Sequence, residues 1–72
     1  MPAKNKNSVE LTKREFQIIR LIAAEKTDKE IALLLDVCER TIRYHLGNIN
    51  AKLGTMTRVG AVAEAIRLNL IS

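Results

Sequence analysis

Residues 37–54 read VCERTIRYHLGNINAKLG. Ile42, Leu46, Ile49 and Leu53 recur at steps of four, three and four, which places them on one face of a helix. Opposite that stripe lie Arg40, Tyr44, Gly47 and Ala51, with Arg43, Thr41 and Asn48 on the flanks. Val37 and Ile42 stand at the spacing of a hydrophobic staple across the helix start. Gly54 supplies the left-handed residue that ends such a helix. Cys38 occupies the N-cap position, where a thiol is a weak acceptor, so the start is poorly capped. The stretch predicts a helix with an apolar back and a polar, partly basic front that has a small residue near its centre.

The flanking sequence supplies the supports. In TDKEIA, Thr27 and Glu30 stand at capping-box spacing and open a preceding helix. Its inward side is Ile31, Ala32 and Leu35, with Ala32 small enough for a close crossing and Leu33 expected to be exposed. Only Asp36, Val37 and Cys38 separate the two helices. Further upstream, LTKREF offers the same capping box in Thr12 and Glu15, with Leu11 and Phe16 as its staple. Phe16, Ile19, Ile22 and Ala23 make its expected core stripe, with Ile18 beside Ile22, and the helix is expected to fade near Glu25. Downstream, a fourth helix is expected from about Val59 to Leu68, stopped by a left-handed Asn69 and followed by an apolar Leu70 and Ile71 that fold back.

No segment alternates as a strand does. The expected fold is all-α, a four-helix bundle over residues 11–72 that contains a helix-turn-helix. Residues 1–10 are polar with scattered lysines and are expected to form a flexible arm or linker. In a helix-turn-helix that binds DNA, the second helix lies in the major groove with its N-terminal part at the base edges.

Seventy-two residues make one small domain, for which a second subunit would add stability. Twelve Lys and Arg against eight Asp and Glu give a charge of +4, a balance that suits nucleic acid or an acidic surface. One Cys and one His cannot form a structural zinc site, and one Cys cannot form an internal disulfide, which fits a reducing cytoplasm. No apolar run is long enough to span a bilayer, and no signal peptide precedes the polar start. No Ser-His-Asp set, glycine-rich phosphate loop or carboxylate pair in a cleft can be placed, so neither an enzyme nor a cofactor is expected.

Each outward residue of the third helix has two readings. Arg40 and Arg43 can bond guanine or phosphate bidentately, or be ordinary solvated charges. Tyr44 can touch a thymine methyl or a phosphate, or lie over its neighbours. Thr41 and Asn48 can bond phosphates or bases, or Thr41 can merely help the cap. Gly47 costs the helix about 1 kcal/mol against Ala, which marks either close approach to the groove floor or simple tolerance. His45 lies beside the core stripe and reads first as a packed, hydrogen-bonded residue. Cys38 reads first as a small buried thiol and second as a redox-active one at a helix N-terminus.

LTKRE, KTDKEIALLLDV, RTIRYHLGNINAKLG and Arg58 followed by AVAEAIRLNLI resemble, in order and spacing, the LuxR-type (GerE-like) helix-turn-helix domain over about residues 11–71. KTDKEIA and the ending AVAEAIRLNLI look most like the quorum-sensing branch. The resemblance implies a bacterial, cytoplasmic transcriptional regulator that binds double-stranded DNA, usually as a homodimer on an inverted repeat. It is expected at the nucleoid when bound. The family's base-reading positions fall on Arg43, Tyr44 and Gly47. Its phosphate-contacting positions fall on Lys29, Arg40, Thr41, His45, Asn48 and Lys52. Its dimer-forming last helix would use Val59, Val62, Ala63 and Ile66.

The sequence departs from the family pattern at Cys38 for a Ser cap, at Gly47 for a longer polar residue, at Val59 and Gly60 for a capping pair, and at Asn69 for a Gly. Thr57 is expected to cap the fourth helix instead. The chain leaves no room for the signal-binding or receiver domain of many members, so it is expected to be a stand-alone regulator or the DNA-binding domain of a larger one. The second function expected is a single-domain interaction module that pairs with a full-length LuxR-type regulator.

Overall fold

The structure is a computed structural model that describes residues 9–72. Residues 1–8 of the expected arm lie outside the described residues, and Val9 is half-buried against the core. Four helices follow in order: α1 (Lys13–Ala23), α2 (Asp28–Leu35), α3 (Glu39–Leu53) and α4 (Arg58–Arg67). Among the described residues there is no strand, so the fold is all-α as expected. None of these helices is long and apolar enough to cross a membrane.

The helix starts are where the sequence marks them. Glu15 N–H donates to Thr12 Oγ1 at 3.1 Å, and Thr12 N–H donates to Glu15 Oε1 at 2.8 Å. The α2 box repeats this with Glu30 N–H to Thr27 Oγ1 at 3.1 Å and Thr27 N–H to Glu30 Oε1 at 2.8 Å. Thr57 caps α4 by accepting from Gly60 N–H at 2.9 Å. A glycine has no carboxylate to answer with, so this cap is one-sided. Cys38 makes no side-chain cap bond at the start of α3. The ends also follow chemistry. Gly54 (φ 71°) and Asn69 (φ 62°) take the left-handed conformation. Asp36 (φ 60°) does the same between α2 and α3, which is how the chain turns there without a glycine.

α3 packs against all three other helices and forms the spine of the bundle. Ile18, Ile19, Ile31, Ile42 and Ile49 are fully buried, joined by Ala61 and Ala65 from α4 and by Ile71 after it. Burying one such side chain stabilises the fold by about 1.5–3 kcal/mol. Ala32 is buried where α2 meets the core, and Leu33 is 75% exposed.

Two expectations need correction. The core face of α1 is centred on Glu15, Ile18, Ile19 and Ile22, while Phe16 is half-buried and Ala23 exposed. A buried carboxylate in the middle of the face shifted the apparent stripe by one edge. Phe16 instead lies beneath the Arg20 guanidinium, 5.7 Å from its ring centroid. The end of α1 agrees with the expected fade near Glu25: the helix stops at Ala23 and Glu25 adopts φ 65° just beyond it. Cys38 is exposed rather than buried, since an N-cap residue sits beyond the packed part of its helix.

Candidate nucleic-acid interface

The apolar side of α3 is anchored by Ile42, Ile49 and Leu53, which turns its other side to solvent. Arg40, Arg43, Tyr44, Gly47 and Ala51 are all exposed there, Tyr44 at 66%. Thr41, His45 and Asn48 are half-buried along one flank, and Lys52 is exposed near the helix end. Lys29 is exposed in the first turn of α2. The front of α3 and the start of α2 therefore offer Lys29, Arg40, Arg43 and Lys52 as cations.

Several of these side chains already have local partners. Arg43 Nη1 stands 3.8 Å from Glu39 Oε1, one turn earlier on α3. Lys52 Nζ is 2.7 Å from Glu15 Oε1 on α1. Thr41 Oγ1 and Cys38 Sγ share a hydrogen bond at 3.2 Å. That hydroxyl, then the Thr41 and Arg40 backbone amides, hold the Cys38 thiol below its ordinary pKa. The Tyr44 and His45 rings meet edge-on at 5.7 Å. His45 Nδ1 is buried without a hydrogen-bond partner, which departs from the packed and hydrogen-bonded histidine expected.

Arg43 and Lys52 are thus each paired with a carboxylate. Among the described residues nothing lies within 4 Å of where a Gly47 Cβ would stand, so none of their side chains requires a glycine there. The front of α3 is open, basic and low in the middle, a shape that suits a nucleic-acid groove.

A second surface lies on α4. Val59 is 75% exposed and Ile66 48% exposed, Ala63 is exposed and Val62 half-buried. These four line an open groove of about 790 Å³ whose far wall is Ile22 and the α1–α2 turn. Arg58 closes one end. Its Nη1 lies 3.0 Å from Asp28 Oδ1, a charge contact without the alignment of a hydrogen bond, and its Nη2 reaches Lys26 O at 3.5 Å.

Two contacts were not named from the sequence, although one of them carried a local signal. Glu39–Arg43 is an i,i+4 pair and was legible in the spacing. Asp28–Arg58 joins residues far apart in the chain, and no local signal announces it. Exposed Leu34 and Met56, 60% and 92% accessible, were also unannounced.

A short helix, a tight turn and a longer basic-fronted helix, backed by two more, define a helix-turn-helix DNA-binding domain. The chain belongs to the family described as bacterial regulatory proteins of the luxR family, which matches residues 9–65. Spore germination protein GerE of Bacillus subtilis is 45% identical over 58 residues, 81% of this chain and 78% of that protein. Transcriptional activator protein PhzR of Pseudomonas fluorescens is 41% identical over 63 residues, 88% of this chain and 26% of PhzR. The quorum sensing-dependent transcriptional regulator RpaR of Rhodopseudomonas palustris is 43% identical over 61 residues, 85% of this chain and 25% of RpaR. The chain thus spans about a quarter of the length of PhzR and RpaR. The solved structure of transcription factor GerE superimposes with a TM-score of 0.81 at 37% identity, covering 86% of this chain and 92% of that one. The protein is a LuxR-type helix-turn-helix domain of a DNA-binding transcriptional regulator, a family of regulators rather than enzymes.

Proposed function

We propose that the domain binds an inverted-repeat DNA site as a homodimer, with α3 of each subunit in the major groove. The observation that carries this reading is the exposed Arg43–Tyr44–Gly47 front of α3, set in a helix-turn-helix whose back is fully packed. Arg43 reads a guanine edge, Tyr44 packs on neighbouring bases, and Gly47 lets the helix backbone approach the groove. Lys29, Arg40, Thr41, His45, Asn48 and Lys52 fix the domain on the phosphates. Val59, Val62, Ala63 and Ile66 pair with the same face of a second copy, as a two-fold interface requires. The setting is the bacterial cytoplasm, and the names of PhzR and RpaR point to gene activation and quorum sensing as the regulatory context.

Selection of genomic fragments by the purified protein at physiological salt tests this. An enriched inverted repeat with half-site centres about 34 Å apart, or a multiple of that, is expected. Failure to enrich any sequence with folded protein would favour the second reading, an interaction module that pairs with a full-length LuxR-type regulator. The exposed pair Leu33 and Leu34 and the apolar α4 groove favour keeping that reading.

A further inference from the structure

We infer that Arg58 is a positioning residue for DNA binding: from the start of α4 it pins the leading turn of α2, so that Lys29 meets a phosphate. This rests on the reading of Lys29 as a phosphate contact and adds what holds Lys29 in place. Asp28 is the first residue of α2 and Arg58 the first of α4. Arg58 Nη1 lies 3.0 Å from Asp28 Oδ1, and Arg58 Nη2 donates to Lys26 O at 3.5 Å. One guanidinium thus holds both sides of Thr27, the cap of α2. Among the described residues, neither Asp28 nor Arg58 has another ion-pair partner.

The leading turn of α2 has little else to hold it. α2 joins the core through Ile31 and Ala32, with Leu35 half-buried after them. Lys26, Thr27, Lys29 and Glu30, which precede that contact, are exposed. The Thr27–Glu30 box shapes the turn internally and ties it to no other element. Among the described residues, the backbones of α2 and α4 do not pack against each other, so the guanidinium bridges two helices that packing leaves apart.

An exposed ion pair by itself says little. This one differs in two ways. Asp28 Oδ1 is buried, so its charge relies on Arg58. Arg58 also stands where the dipole of its own helix disfavours a cation, and no acid in the first turn of α4 offsets it. Its contacts serve the start of α2 instead. Lys29 follows Asp28 on that turn. A loose turn would lose conformational freedom on meeting a phosphate, and a pinned turn has lost it beforehand.

A double-mutant cycle on the enriched site tests this. In the wild-type background, Lys29→Ala should weaken binding about tenfold and lower the salt slope by about one. In an Arg58→Gln background, the same change should cost less than about threefold. Asp28→Asn should shrink the Lys29 effect likewise, although removing an acid near phosphates would by charge alone strengthen binding. Circular dichroism checks that each variant is folded, and Asp28→Asn, nearly isosteric, reports on the pin should Arg58→Gln unfold. A Lys29→Ala effect of full size in both backgrounds would overturn the inference and reduce the Arg58–Asp28 pair to fold stability. A further fall of about one in salt slope when Arg58→Gln is added to Lys29→Ala would also overturn it, because Arg58 would then touch a phosphate itself. An unchanged slope for Lys29→Ala in the wild-type background would instead remove the Lys29 reading. Should the selection enrich no site, the DNA reading fails at that earlier step, and in both of these last cases the inference falls with the reading beneath it.

Discussion

Lys52 Nζ donates to Glu15 Oε1 at 2.7 Å and so ties the last turn of α3 to the first turn of α1. The same carboxylate oxygen accepts Thr12 N–H at 2.8 Å. One glutamate thus completes the cap of one helix and pins another, and it does so while only 3% exposed. Burial pushes the Glu15 carboxyl up. The Lys52 hydrogen bond, the Thr12 amide and the Lys52 charge together outweigh burial and hold it below its ordinary pKa.

Lys52 therefore has a structural task beside any contact with DNA. Lys52→Ala leaves a buried carboxylate with only its cap partner, and a loss of about 1–3 kcal/mol in unfolding free energy is expected. Urea denaturation measures it. Binding assays on the folded variant separate the two tasks. A phosphate contact would lower the salt slope of binding by about one, equally on all sequences. An unchanged slope would confine Lys52 to the ion pair with Glu15.

The same contact gives stability a pH dependence. The Glu15 pKa is lower folded than unfolded, so the unfolded chain binds more protons as pH falls. The contribution is fully present above the unfolded carboxyl value, about 4.3, and is lost as pH falls through the folded value. The urea midpoint should therefore drop below about pH 5. Glu15→Gln should flatten the drop without abolishing it, because the Thr27 amide lowers Glu30 and the Arg67 hydrogen bond lowers Glu64 in the same direction. A profile identical to wild type would show that Glu15 does not titrate as its contacts require.

Most of the fold was legible because its punctuation is local. Thr12, Thr27 and Thr57 cap within three residues, and Gly54 and Asn69 terminate their helices by their own backbone freedom. The apolar back of α3 was legible from spacing alone. What escaped depends on partners distant in sequence. Glu15 looks like a surface residue until Lys52 is folded over it, and this displaced the expected stripe of α1 toward Phe16 and Ala23. For the interface, exposure of Arg40, Arg43, Tyr44 and Gly47 followed from the helical count. Which of them already hold a carboxylate did not, apart from the i,i+4 pair Glu39–Arg43.

Arg43 is the side chain on which base recognition turns. Arg43→Ala should cost about 1–3 kcal/mol on the selected site and relax preference at one base pair. Binding to random DNA should fall far less. Competition titrations at fixed salt compare the two, and an equal loss on both would reduce Arg43 to a phosphate contact.

The α4 face is tested by removing its exposed apolar side chains. Val59 and Ile66 protrude from the groove wall, so Val59→Ser with Ile66→Ser should change unfolding free energy by no more than about 1 kcal/mol. Binding to a paired site should fall about tenfold or more, as linked binding becomes independent, while binding to a single half-site stays the same. Band-shift titrations on the two DNAs read this directly. Equal affinity of wild type and variant for the paired site would place the dimer contact elsewhere.

Gly47 gives the sharpest separation of stability from function. It sits inside α3 with open space around the missing Cβ, and its φ is not in the left-handed region. Nothing among the described residues offsets the helix-weakening effect of glycine there, so Gly47→Ala should stabilise the free domain by about 0.5–1 kcal/mol. If the backbone at Gly47 closes on the groove floor, the added methyl group should weaken binding to the selected site in a protein that melts higher. Melting temperature and affinity then move in opposite senses, an outcome that a residue kept by mere tolerance would not produce. A variant that gains stability and keeps its affinity would assign the glycine to no contact with DNA.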